Sequence, residues 1–327
     1  MLRSSIHAAA HTRPGPRVAR RIWVDLLLYP THTFPTAAAP ILVAVGLAVH
    51  DRVAAPVAAM LAFVASWAIH VGGVFADNYA LITEHRDIPE HPELLSALKD
   101  GSLTLRGLRF AIAACFALAL LTAPLLAASV GWPAVIVLGV IGALASLGYG
   151  GGPLPYAKLG VADPVFFAMF GLIAVPATYI AQAGIADQRP LTALLDAFGS
   201  LSPNVYVAAL PVAALVTNVL LIDEIRDADF DRAKDWRSGA VRWGRGFSRV
   251  ELWTLTMFAY LIPFWLWLGG GYRISALLPL ATLPTAIDVA RRVRCARQFE
   301  ELFPLTPRAS RLAMVYGLLS GIGLAIR

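Results

Sequence analysis

Apolar and polar positions in this chain fall into long blocks. Nine apolar runs follow one another, at about Phe34–His50, Pro56–Leu81, Leu108–Val130, Pro133–Tyr149, Pro164–Ala183, Val205–Ile222, Leu252–Gly269, Ile274–Val289 and Leu312–Ile326. Most approach or exceed the roughly 20 residues an α-helix needs to cross a bilayer's hydrocarbon core. The pattern predicts an all-α fold, a polytopic membrane bundle of about nine transmembrane helices. Only Gly131 and Trp132 separate the third run from the fourth, which predicts a tight hairpin. Residues 17–29, RVARRIWVDLLLY, read as a basic amphipathic helix on the membrane surface. Residues 1–16 read as a disordered cytoplasmic tail without the apolar core of a secretory signal. No linker divides the remainder, so 17–327 reads as one membrane-embedded domain.

Composition agrees with this pattern. The chain is 58% hydrophobic and 15% charged, with a mean hydropathy of +0.66. Its net charge of +6 would suit nucleic acid, but the location of the basic residues gives another reason for it. Arg86, Lys99, Arg106, Lys158, the arginine-rich stretch 226–249 and Arg291 to Arg311 occupy alternate connections. The opposite connections hold little beyond Arg52, Arg189 and Arg273. Basic residues gather on the cytoplasmic side of membrane proteins. The N-terminus and the polar-rich loops are therefore expected in the cytoplasm, the C-terminus outside, and no nucleic-acid partner. Cys115 and Cys295 give neither a disulfide framework nor metal-ligand spacing.

The chemistry concentrates where the sixth run ends, in NVLLIDEIRDADFDRAKDWRSGAVRWG. Asp223, Asp227 and Asp231 recur at i, i+4 and i+8, which places them on one stripe of a helix. Like charges at that spacing repel by a few tenths of a kcal/mol each when exposed, and by more where water is scarce. The stripe suggests a cation between the carboxylates. Mg²⁺ fits, being a hard ion held by one or two carboxylates plus substrate phosphate. The plainer alternative is a solvated helix end whose acids pair with Arg226 and Arg232. A second polar cluster, Asp77, Asn78, Glu84 and Asp87, begins within the end of the second run, with Leu81 at the i+4 position of its face. Acids near the end of a membrane helix usually line an aqueous cavity, although interfacial charge is the alternative here. Two acidic clusters at one mouth, flanked by arginines, suit a diphosphate bound through Mg²⁺. The glycine- and proline-dense loop YGGGPLPYAKLG offers Lys158 to a phosphate, or to snorkelling, and Tyr149 and Tyr156 to a cavity wall. His70 reads as a packing histidine. The spacing of the two clusters suggests two related four-helix units.

With these residues in view, the chain resembles the UbiA-type intramembrane aromatic prenyltransferases, most closely their 1,4-dihydroxy-2-naphthoate branch. The likeness lies in HTFPTAAAPILVAVG, in GYGGGPLPYAKLGVADPVFFAMFGLIAVPATYIAQ, and in IRDADFDRAKDWRSGAVRWG. The resemblance implies a polyprenyl diphosphate donor, an aromatic acceptor that loses its carboxylate as CO₂, and a role in menaquinone synthesis at a bacterial inner membrane. It implies metal binding by Asp223, Asp227, Asp231, Asp87 and Glu84, with Asp77 and Asn78 also catalytic. Diphosphate contacts would come from Arg226, Arg232 and Lys158, with Tyr149 and Tyr156 beside them. The chain departs from the family pattern at two places. Asp77-Asn78 stands in swapped order before Leu81, where an Asp is usual, and Asp235-Trp236-Arg237-Ser238 replaces the usual Gly-Lys-x-Thr. Other acceptors (a hydroxybenzoate, homogentisate or a tetrapyrrole), a non-catalytic isoprenoid-binding relative and a transporter stay open at this point.

Overall fold

The computed structural model describes residues 33–85, 92–151, 155–184 and 192–327. The expected tail and surface helix, together with Asp87, lie outside the described residues. The helices, in chain order, are α1 (Thr33–His50), α2 (Pro56–Glu84), α3 (Pro92–Lys99), α4 (Leu105–Val130), α5 (Trp132–Leu147), α6 (Ala162–Phe167) and α7 (Ala174–Ala183). They continue as α8 (Thr192–Gly199), α9 (Pro203–Ala233), α10 (Gly239–Arg242), α11 (Arg245–Leu268), α12 (Leu283–Cys295) and α13 (Leu305–Ala325). A π-helical segment, Ala168–Ile173, joins α6 to α7, and a 3-10 segment, Ile274–Thr282, leads into α12. No strand occurs among the described residues.

Seven helical segments among the described residues are long and apolar enough to cross a membrane. The other two expected spans are α5, apolar but only 16 residues long, and α13, which carries Arg308 and Arg311 near its start. The predicted hairpin is present. Gly131 alone separates α4 from α5, with a φ of 81° that a residue with a side chain rarely adopts. Two connections expected as loops contain the short helices α3 and α8.

Helix α9 is the axis of the bundle. Of the seven candidate spans it is the most buried inside the protein, as befits a helix whose first two-thirds are apolar nearly all round. Ser202 caps its start, accepting from the Asn204 amide, and Pro203 fills the first turn, where its missing N–H costs nothing. Asn218 fastens α9 to α11 by donating to Thr256 Oγ1 at 2.9 Å. By contrast α4 is largely exposed along its length, a surface suited to lipid.

Helices α1 and α13 meet backbone to backbone. A methyl group on Gly46 would overlap the backbone of Gly321, and one on Gly321 would overlap Leu42 O. At Gly317 it would lie 2.6 Å from Ala39 O. Gly317 and Gly321 form a small-xxx-small face of the kind that lets membrane helices approach closely. Gly321→Val should therefore cost about 1–3 kcal/mol through overpacking, read as a lower apparent melting temperature in detergent. Gly246→Ala, where nothing lies within 4 Å of the added carbon, is expected to be neutral or to stabilise slightly.

Candidate active site

A cavity of about 1240 Å³ opens among α1, α2, α4, α5, α6, α7 and α9. That exceeds the roughly 300–1,000 Å³ usual for small-molecule pockets. Most of its wall is apolar, including Ile69, Phe166, Phe170, Ile173 and Leu220. The π segment between α6 and α7 contributes Met169, Phe170 and Ile173 to that wall. Gly171 on its other side packs against Ala209 and Ala213 of α9, where any side chain would collide. His70 stands in the wall with its ring 5.2 Å from Phe170.

The polar end of the cavity collects Asp77 and Asn78 from α2, Tyr149 and Tyr156 from the loop after α5, and Asp223, Asp227, Asp231 and Arg226 from α9. Leu81 lines the same region and is buried. The i, i+4, i+8 stripe thus faces the cavity, and protein cations are built into it. Arg226 donates through Nε and Nη2 to the two oxygens of Asp227, at 2.7 and 2.6 Å. Its Nη1 reaches Asp223 Oδ1 at 2.5 Å, and Thr306 donates to that same oxygen at 2.7 Å. The guanidinium also lies 4.8 Å from the Phe303 ring. Such fork-like pairing is the strong, oriented kind. Asp231 accepts from Ser238 Oγ at 2.7 Å and has Lys234 Nζ at 3.3 Å.

Tyr149 stands among these acids. Burial, and then the charges of Asp77, Glu224, Asp231 and Asp223, push its phenol well above the usual range. It therefore keeps its O–H donor at neutral pH. Tyr156 is raised for the same leading reason, burial, with Asp77 second, and its hydroxyl donates to Ala145 O at 2.7 Å. Asn78 donates to Val74 O of its own helix.

Three expected site residues are not placed on the cavity wall. Arg232 has a side chain 62% exposed and pairs with Asp229 at 3.1 Å. It stands one residue beyond Asp231, and that step turns it off the stripe. Glu84 and Lys158 pair with each other at 3.1 Å. This contact ties the end of α2 to the tyrosine-bearing loop. Asp87 lies outside the described residues.

Three residues at the mouth were missed from sequence. Lys234 and Trp236 line the cavity through a turn that sequence rules recognise poorly. At the end of α9 the Trp236 amide donates to Asp231 O at 2.8 Å and the Asp235 amide to Arg232 O at 3.2 Å. This is a Schellman cap, which usually places glycine at the left-handed position. Here Asp235 holds it, with φ 58°. The cap folds Trp236 back beneath Lys234, whose Nζ sits 4.1 Å from the indole centroid. The third residue is Gly150. A methyl group there would overlap Asp77 Oδ1 and approach Trp236 to 3.1 Å.

The donor set of Asp77, Asp223, Asp227 and Asp231 is all hard oxygen, the chemistry a divalent ion such as Mg²⁺ takes. Among the described residues no three His, Cys, Asp or Glu side chains are already drawn together as a metal cage. Asp223 and Asp227 are arranged around Arg226, and Asp231 lies beside Lys234. A metal would complete its shell with substrate oxygens, as Mg²⁺ commonly does.

Residues 34–301 match the UbiA prenyltransferase family. The chain belongs to that family. It is an integral membrane enzyme that transfers prenyl groups. It is 27% identical over 298 residues to a 1,4-dihydroxy-2-naphthoate octaprenyltransferase of Mycobacterium tuberculosis, covering 89% of this chain and 92% of that one. It is 23% identical to the Escherichia coli protein of the same description, over 89% and 92% of the two chains. The fold is similar to that of the ligand-free UbiA homolog from Aeropyrum pernix K1, with a TM-score of 0.61 and 20% identity over 86% of this chain and 96% of that one.

Two outcomes test this construction of the UbiA site. Gly150→Ala should abolish prenyl transfer in protein that remains monodisperse, because the added methyl displaces the Asp77 carboxylate. Asp235→Gly should stabilise by about 1 kcal/mol, by relieving the left-handed strain, and raise the apparent melting temperature.

Proposed function

We propose that this protein transfers a polyprenyl group from a polyprenyl diphosphate to an aromatic acceptor, 1,4-dihydroxy-2-naphthoate, with loss of CO₂, in quinone synthesis. One observation carries the reading: a single large cavity combines a cluster of carboxylates with a mostly apolar wall. That combination suits a molecule with an anionic head and a hydrocarbon tail. The relatives described as naphthoate octaprenyltransferases, matched over nearly their whole length, favour this acceptor over a hydroxybenzoate, homogentisate or tetrapyrrole.

In this reading the isoprenoid tail lies along Ile69, Phe166, Phe170 and Ile173, and the diphosphate sits at the stripe. Mg²⁺, held by Asp223, Asp227, Asp231 and Asp77, would neutralise the diphosphate and stabilise it as a leaving group. Arg226 keeps Asp227 and Asp223 oriented. The protonated Tyr149 donates a hydrogen bond towards the head group. Breaking the allylic C–O bond gives pyrophosphate and an allylic cation, and the apolar wall keeps water from that cation. The electron-rich ring carbon of the acceptor forms the new C–C bond, and the acceptor's carboxylate leaves as CO₂. With basic loops inside, the mouth faces the cytoplasm of a bacterial cell, the C-terminus lies outside, and 17–327 works as a single membrane domain.

The test is a transfer assay on purified protein with Mg²⁺, a radiolabelled prenyl diphosphate and 1,4-dihydroxy-2-naphthoate. A prenylated, decarboxylated product that disappears with EDTA is expected. Asp227→Asn should reduce turnover at least about 100-fold, the scale on which losing one electrostatic catalytic group acts, in protein that still folds. Product that persists in EDTA would overturn the metal assignment, and product with a different acceptor would overturn the naphthoate.

A further inference from the structure

We propose that Lys234 is the ammonium ligand of the substrate's diphosphate, a role that the family resemblance gives to Arg226, Arg232 and Lys158. The inference rests on the prenyl diphosphate reading of the site and names a residue within it.

Arg232 is exposed and paired with Asp229, and Lys158 is paired with Glu84. Neither belongs to the cavity lining, whereas Arg226 and Lys234 do. Arg226 is engaged on every side: Nε and Nη2 on Asp227, Nη1 on Asp223, and Phe303 against its face. Turning it to a phosphate would break a bidentate pair and leave a buried carboxylate without its counter-charge, which is costly. Lys234 is placed differently. Its side chain is 1% exposed, and its Nζ lies 3.3 Å from Asp231. An ammonium has three donors on a flexible stem, so it can engage a phosphate oxygen while Asp231 stays beside it. The Trp236 face below it, 4.1 Å away, steadies the charge.

A second observation points to a ligand at the same place. Trp236 is 7% exposed, lines the cavity, and its indole N–H is buried with no acceptor. Buried donors in native proteins are normally satisfied. A diphosphate oxygen beside Lys234 would give this N–H an acceptor. The Schellman cap explains why both groups arrive together: it reverses the chain within three residues and stacks residue 236 under residue 234.

The experiment measures binding of geranyl S-thiolodiphosphate, an unreactive prenyl diphosphate analogue, to the full chain in detergent with Mg²⁺. Lys234→Arg is expected to bind within about threefold of wild type, and Lys234→Met about tenfold or more weakly, as for loss of one charged hydrogen bond. Lys234→Met binding within twofold of wild type would overturn the assignment. Wild-type protein that binds no analogue would overturn the underlying prenyl diphosphate reading, a separate result from loss in the variant alone. Lys234→Met could fail to fold, so a direct measurement accompanies it. The chain has three lysines, Lys99, Lys158 and Lys234. In Lys158→Arg protein labelled with ¹⁵N at lysine Nζ, only Lys234 and the exposed Lys99, which is not on the cavity wall, carry the label. ¹⁵N–³¹P dipolar dephasing from the bound analogue then reports contact with Lys234, and its absence overturns the proposal.

Discussion

Everything at this site follows from placing aspartates on a helix that the protein buries. A charge taken out of water costs several kcal/mol even after the surroundings relax. The stripe on α9 contains three such charges at helical spacing, facing a largely apolar cavity. Arg226 between Asp223 and Asp227, and Lys234 beside Asp231, are the local answer to that cost. They also explain why the acids keep one geometry without a pre-drawn metal cage. Arg226 acts as a brace, holding two carboxylates at fixed positions. Thr306 and Ser238, donating to Asp223 and Asp231, extend the brace to α13 and to the segment before α10.

The rest of the bundle serves that helix. Glycine contacts let α1 close against α13 and let the π segment press on α9. The tyrosine-bearing loop lines the cavity through Tyr149 and Tyr156. It is fastened by Lys158 to Glu84, by the Arg237 amide to Lys158 O, and by the close approach of Gly150 to Asp77. Glu84 and Lys158 thus join the end of α2 to that loop. Glu224, which also lines the cavity, and Asp163 converge on Gly239, where an added methyl carbon would lie 2.9 and 3.0 Å from their carboxylate oxygens. Their placement requires glycine at that position.

The departures in the acidic motifs also make physical sense together. Leu81 stands where a further carboxylate would have added negative charge to the mouth. Trp236 stands where a lysine is usual in the pattern, and Lys234, two residues earlier, turns inward to Asp231. Cationic charge is therefore kept near the stripe while its source moves along the chain. Asp235 bears the backbone strain of the turn that makes this possible.

The sequence by itself determined the class of the protein, the approximate spans and the stripe. Those follow from hydrophobic block length and helical periodicity, which are local properties of the chain. It also carried the polar composition of the mouth, because Asp77, Tyr149 and Asp227 stand in recognisable local patterns. Only the tertiary structure decided which basic residues face the cavity. Arg232 and Lys234 are two residues apart and equally basic on paper. A helix turns about 100° per residue, and the Schellman cap then redirects the chain, so one is sent to solvent and the other to the site. The close contacts of Gly150 and Gly321 were likewise invisible in sequence, since a glycine's purpose depends on which distant backbone comes to lie against it.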